Sequence, residues 1–239
     1  KEYFETAIQL NPNFEPAYYE LAGVQIGMDK PEEALKTLDK ARAKFKLNFV
    51  LEFYTAIANT SLEKFSEALS HFTSAELIAK TSDPSRLNYV FYFQLGAAQE
   101  RSGNIEEAVK AFRKCLELSP DYPEALNYLG YMWADRGENL EEAKDLIERA
   151  LKKEPNNAAY LDSLAWVYYK MQKPTEALNY INSAVAHSDK PDPALLEHLG
   201  DIHLEFSNCH LRQSGRAQQE NDHGKANDRH QKKVLGSSI

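Results

Sequence analysis

The chain has 239 residues, 43% of them hydrophobic and 27% charged, and its 28 Lys and Arg against 36 Asp and Glu give a formal net charge of -8. That length and apolar share can bury a continuous core, while the acidic balance argues against a general nucleic-acid binder, which needs basic surface to displace phosphate counterions. No run of about eighteen apolar residues occurs, so no membrane span is expected; two cysteines, Cys115 and Cys209, give neither a disulfide framework nor a metal-ligand spacing.

Glycine and proline number ten each, helix formers dominate, and the chain reads as all-α. It opens at Lys1 inside a helical pattern, as expected of a piece of a longer protein. Residues 1-14 read as one helix closed by Pro12. Helix pairs then follow at 15-48, 49-88, 89-122, 123-157 and 158-192, and a lone helix at 193-207. Breaks fall at Gly103-Asn104, Gly137-Glu138-Asn139 and Lys173-Pro174. Pro120 and Pro155 close two more pairs, because proline lacks an amide donor and clashes with the preceding turn. The second pair is longer by six residues near Thr81 to Arg86, where Asp83-Pro84 reads as an N-cap and first-turn proline that start the next helix early.

The pairs are copies of one unit. An alanine recurs at Ala34, Ala68, Ala108, Ala143 and Ala177, and seven residues later comes Ala41, Ala75, Cys115, Ala150 and Ala184. Seven residues are about two helical turns, so both small side chains share a face that a neighbouring helix can approach closely. A larger apolar residue lies between them: Leu38, Phe72, Phe112, Ile147 and Ile181. The helix upstream carries a leucine and a small residue, as at Leu95-Gly96, Leu129-Gly130, Leu164-Ala165 and Leu199-Gly200; Thr55-Ala56 departs from this.

This pattern, with a period of about 34 residues, resembles the tetratricopeptide repeat family over residues 1-207. The segment Asn127 to Ala143, with a turn one residue longer, is similar to a variant found in bacterial members. The resemblance implies a right-handed superhelical solenoid of antiparallel helix pairs. It also implies that the first helix of each pair lines a concave wall that binds a partner polypeptide. Carried over by position, that wall holds Tyr19, Gly23, Ile26, Val50, Phe53, Ile57, Val90, Phe93, Ala97 and Glu100. It continues with Glu124, Asn127, Tyr131, Asp162, Trp166, Tyr169, Glu197 and Asp201.

The wall is apolar and aromatic in its first half and pairs rings with carboxylates in its second. A peptide or partner helix with apolar anchors and a Lys or Arg is therefore the expected ligand. The family's basic clamp for a C-terminal carboxylate is not matched, since its positions hold Tyr19, Phe53, Phe93, Asp162 and Glu197. Tyr18, Tyr92 and Tyr128 are expected in the core.

No nucleophile, base and orienting group form a recognisable catalytic motif, and no phosphate-cradling glycine loop is present. The chain is therefore expected to be a scaffold or adaptor rather than an enzyme, with no cofactor. The alternatives are the substrate-holding arm of a larger enzyme, or a structural protein that self-associates through exposed terminal repeats. Pairs such as Glu106-Glu107 and Glu141-Glu142 sit in early helical turns, where carboxylates favour the helix dipole. His198, His203, Cys209, His210, His223 and His230 fit no standard zinc spacing. Residues 208-239 carry six Lys and Arg against three Asp and Glu, a net +3, which leaves -11 on the repeats. This polar stretch has no apolar period and is expected to be disordered. Its abrupt composition reads as a frame change or an appended stretch rather than a continuing repeat.

Overall fold

The computed structural model describes residues 1–209 together with residues 211 and 212, and these are helical with no strand among them. The order is α1 (Glu2–Leu10), α2 (Glu15–Gly27), α3 (Pro31–Arg42), α4 (Phe49–Ser61), α5 (Phe65–Ser82), a 3-10 turn (Pro84–Arg86), α6 (Tyr89–Arg101), α7 (Ile105–Leu118), α8 (Pro123–Arg136), α9 (Leu140–Lys153), α10 (Ala158–Lys170) and α11 (Pro174–His187). A twelfth helix, α12, follows over 193–209. The expected tail lies outside the described residues from 213 onward, and α12 runs two residues past its expected end.

The first helices begin at Glu15, Phe49, Tyr89, Pro123, Ala158 and residue 193, and a side-chain cap fixes four of these starts, the last through Asp192 Oδ1, which accepts from the Leu195 amide. The Asn48, Asn88 and Asn157 carboxamides accept from the amides of Leu51, Phe91 and Tyr160, each satisfying one donor that a helix start leaves unpaired. Between the helices of each pair the chain turns through a left-handed residue: Asp29, Glu63, Gly103, Gly137 and Gln172. The next amide reaches back five residues, as in Lys30 N to Gln25 O and Lys173 N to Tyr168 O, both 2.9 Å. This is the Schellman closure, and it turns the chain back so that the second helix packs on the first.

Two compact units divide the described chain, Lys1–Ala125 and Leu126 onward. In the first, Tyr18, Leu38 and Leu51 pack with Ala34 and Ala41, while Phe72 and Phe91 pack with Ala75 and Ala79. In the second, Leu161, Ile181, Leu195 and Ile202 surround Ala177 and Ala184. All ten recurring small residues have no exposed surface, and the glycines of the first helices show why small side chains are needed. A Cβ on Gly96 would lie 2.8 Å from the Phe112 ring, and one on Gly130 would lie 2.7 Å from Ile147 and 2.9 Å from the Ala143 carbonyl oxygen.

Three local expectations are corrected. The opening helix ends at Leu10, because Asn11 leaves helical geometry ahead of Pro12. The six extra residues do not start α6 early. They lengthen α5 to Ser82 and add the 3-10 turn, which Asp83 caps through the Ser85 amide, and α6 begins only at its own cap, Asn88. Of the expected core tyrosines, Tyr18 is buried but Tyr92 and Tyr128 are half-buried.

Candidate functional site

In the first unit, the wall residue Tyr19 is buried, with 7% of its surface exposed. Its hydroxyl donates to Glu15 Oε1 at 2.6 Å and accepts from Asn48 Nδ2 at 2.7 Å. Burial, reinforced by the Glu15 hydrogen bond, pushes this phenol up to about 12. The network ties the start of α2 to the cap of α4. Phe53 is half-buried and stacks on Phe49 with ring centroids 5.4 Å apart, and Phe93 is half-buried against Tyr122. Tyr19 and Phe53 reach the next repeat, through the α4 cap and the Phe91 ring, whereas Phe93 packs within its own, on Phe112 and Tyr122.

A polar group that sequence reasoning missed lies behind this wall. Glu52 of α4 has a side chain only 4% exposed, with Oε1 2.7 Å from Arg42 Nη1 and Oε2 2.8 Å from His71 Nδ1. Burial pushes the carboxyl up, but the His71 hydrogen bond and the Arg42 ion pair outweigh it and hold the group at about 2. It ties α3, α4 and α5 together and has no open surface before it.

In the second unit, three expected aromatics, Tyr131, Trp166 and Tyr169, gather with His198 into one group. Trp166, 8% exposed, stacks on the His198 ring at 4.1 Å and 17°, and on Tyr169 at 4.7 Å and 14°. Tyr131 lies 6.1 Å from His198. His198, placed by sequence reasoning among incidental histidines, is thus the hub of the group, and its Nδ1 is 2.9 Å from Asp162 Oδ1. Asp162 is therefore committed to His198 and is not a free acidic contact.

Two further carboxylates, Glu197 and Asp201, are exposed on α12. Burial, and then the Asp201 and Glu205 carboxylates, push the Tyr169 hydroxyl above its ordinary value. Lys170 crosses the Trp166 face with Nζ 4.8 Å from the ring centroid, held by the Asp135 carbonyl oxygen at 2.9 Å. In this unit, Trp166 Nε1 and Asn127 Oδ1 are buried with no hydrogen-bond partner among the described residues. Each such atom costs the free chain on the order of 1–3 kcal/mol.

No cluster of three or more His, Cys, Asp or Glu suited to a metal occurs among the described residues. His210, His223 and His230 lie outside them. Cys115 is fully buried, and burial followed by the Glu124 charge pushes its thiol up to about 12, as fits a packing residue in α7. No described helix is long and apolar enough to cross a membrane.

Repeated helix hairpins closed by left-handed turns, with small residues at each crossing and aromatic rows on the first helices, define a tandem helical-repeat protein. The chain belongs to the tetratricopeptide repeat family: one model of that family matches residues 28–208 and a second matches residues 1–48. A TPR repeat-containing protein of Pseudomonas aeruginosa is 29% identical over 194 residues, covering 79% of this chain and 31% of its own length. The Hsp70-Hsp90 organising protein of Plasmodium falciparum is 28% identical over 134 residues, covering 55% of this chain and 48% of its own. The chain thus spans less than half the length of either relative. Among solved structures, the APC/C hetero-tetramer Cut9-Hcn1 matches with a TM-score of 0.73 over 84% of this chain and 38% of that one, at 16% identity, a likeness of fold alone. Tetratricopeptide repeat proteins generally mediate protein–protein interactions on a scaffold that is generally non-enzymatic.

Proposed function

We propose that this chain is a protein-interaction adaptor that holds a polypeptide segment of a partner on the first-helix face of its second unit. The observation that carries this reading is a pair of buried polar atoms without a hydrogen-bond partner among the described residues, Trp166 Nε1 on α10 and Asn127 Oδ1 on α8, both on first helices of this unit. One is a donor and the other an acceptor, and a peptide group offers the complement of each. Lys170, held by a single carbonyl at the surface, is the cover that an incoming segment displaces. Tyr131 and Tyr169, both half-buried, supply surface for an apolar anchor, and Glu197 and Asp201 favour a Lys or Arg beside it. The partner class is thus a peptide or helix with apolar and basic residues.

The test separates binding from stability. In Asn127→Leu the orphaned oxygen is gone, so the free protein keeps or gains stability, while partner affinity falls about tenfold for the lost hydrogen bond. Trp166→Phe keeps a ring and removes only the N–H, with the same direction in binding. Unchanged affinity in both variants overturns the reading.

A second reading, association between copies, is favoured by the exposed leucines Leu196, Leu204 and Leu211 on one side of the last helical stretch, 52%, 63% and 71% exposed. Sedimentation velocity over a wide concentration range tests it, and a monomer throughout excludes it.

A further inference from the structure

The extra turn of the long repeat forms one wall of a cleft. The 40-residue spacing between Ala68 and Ala108, against 34 or 35 elsewhere, carries α5 one turn further and sets the 3-10 turn beside the starts of α2 and α4. Between them lies an open cleft of about 730 Å³ in the first unit, within the range of roughly 300–1,000 Å³ typical of clefts that hold ligands. Tyr19, Phe49 and Tyr54 face it from α2 and α4, and Ile78, Ser82 and Arg86 face it from α5 and the turn.

The charges around the cleft are uneven. Arg86 is its one lining cation; it is engaged by Asp83, Nε to Oδ2 at 3.2 Å, and its guanidinium lies 5.6 Å from the Phe49 ring centroid. That pair is self-compensating. On the opposite side Glu15 and Glu20 also line the cleft and face no lining cation other than Arg86, which leaves a net charge of -2 at the rim. Burial, and then the Glu20 carboxylate, raise the Tyr54 hydroxyl above its usual value.

We infer that this cleft is a docking site for a short polypeptide segment that inserts a large apolar side chain between Tyr54, Phe49 and Ile78 and sets a Lys or Arg against Glu15 and Glu20. The aromatic and aliphatic lining matches the anchor, and the uncompensated carboxylates select the cation and reject an acidic segment. The inserted turn supplies one wall of the site and the preceding helix pair supplies the other, through Glu15, Tyr19 and Glu20. The inference stands independently of the reading of the second unit, since no residue is shared.

The experiment is selection of a displayed library of random octapeptides on the immobilised full chain, repeated with two variants. Ser82→Trp fills the cleft from an exposed position on the last turn of α5. Glu20→Lys reverses one rim charge at an exposed position of α2. Circular dichroism confirms that both stay helical. The expected result is enrichment of sequences placing Lys or Arg within two residues of Leu, Ile or Phe. Their affinity should fall at least tenfold in Ser82→Trp, fall severalfold in Glu20→Lys, and stay unchanged in Asn127→Leu. Enriched peptides that bind Ser82→Trp and Glu20→Lys as well as the parent overturn the inference, as do acidic consensus sequences or no enrichment at all. Peptides lost only in Asn127→Leu assign recognition to the second unit and leave that reading standing while this one falls.

Discussion

Protonating or removing the Glu52 carboxylate should weaken the first unit by an amount that depends on pH. The group's ordinary value is 4.5 and in the folded chain it is about 2, so the ion pair contributes about 3 kcal/mol at neutral pH, at about 1.4 kcal/mol per unit. The folded value is depressed, so the contribution is complete above the unfolded value and is lost as pH falls from 4.5 towards 2. By linkage about 2 kcal/mol of it is gone at pH 3. Urea unfolding of the parent and Glu52→Gln at pH 7 and pH 3 reads this directly. Because the substituted carboxamide does not titrate in that range, the stability difference between the two proteins should shrink by about 2 kcal/mol at the lower pH. A difference equal at both values refutes the assignment of an ionised Glu52 between Arg42 and His71.

The remaining predictions concern the hairpin geometry. Gly130→Ala forces a Cβ against the Ala143 carbonyl oxygen and Ile147, neither of which can withdraw without separating α8 from α9; a loss of about 2–3 kcal/mol in urea unfolding is expected, as for other overpacked interfaces. Gln172→Gly relieves a side chain held at φ 58°, and its thermal midpoint should rise, by the equivalent of roughly 0.5–1 kcal/mol. Asp162→Asn removes the carboxylate that orients His198, and weaker partner binding with little change in helicity is expected, read by titration and circular dichroism.

The helix pairs were legible because close packing writes itself into sequence. A helix crossing that admits only small side chains at positions such as Ala41, Cys115 and Ala150 produces the seven-residue spacing, and stacking repeats it about every 34 residues. The ends of helices were less legible. Asp29, Glu63 and Gln172 occupy the same left-handed turn position as Gly103 and Gly137, yet none of them is a residue type that announces such a turn. The caps at Asn48, Asn88 and Asn157 are visible only once the first helices are placed. Asp83 and Pro84 have the residue types of a helix start, and the chain uses them for a single 3-10 turn.

The wall positions identify which residues lie on the first-helix face, but not how far each is covered. Tyr19 is drawn inward because Glu15 and Asn48 satisfy its hydroxyl, and Trp166 because His198 and Tyr169 stack on it. His198 could have been found by the same carry-over, since it sits next to Glu197 on a first helix. Glu52 carried no signal, because its partners come from the two flanking helices, Arg42 ten residues before it and His71 nineteen after.

The most direct test of partner recognition is an amide and indole proton–nitrogen correlation spectrum of the full chain, recorded while adding an octapeptide that the parent binds and Asn127→Leu does not. The chain has two tryptophans, Trp133 and Trp166. The Trp166 indole N–H, unpartnered in the free chain, should move downfield to saturation while the Trp133 signal stays in place. A peptide that saturates the protein and leaves the Trp166 indole where it was contradicts the account.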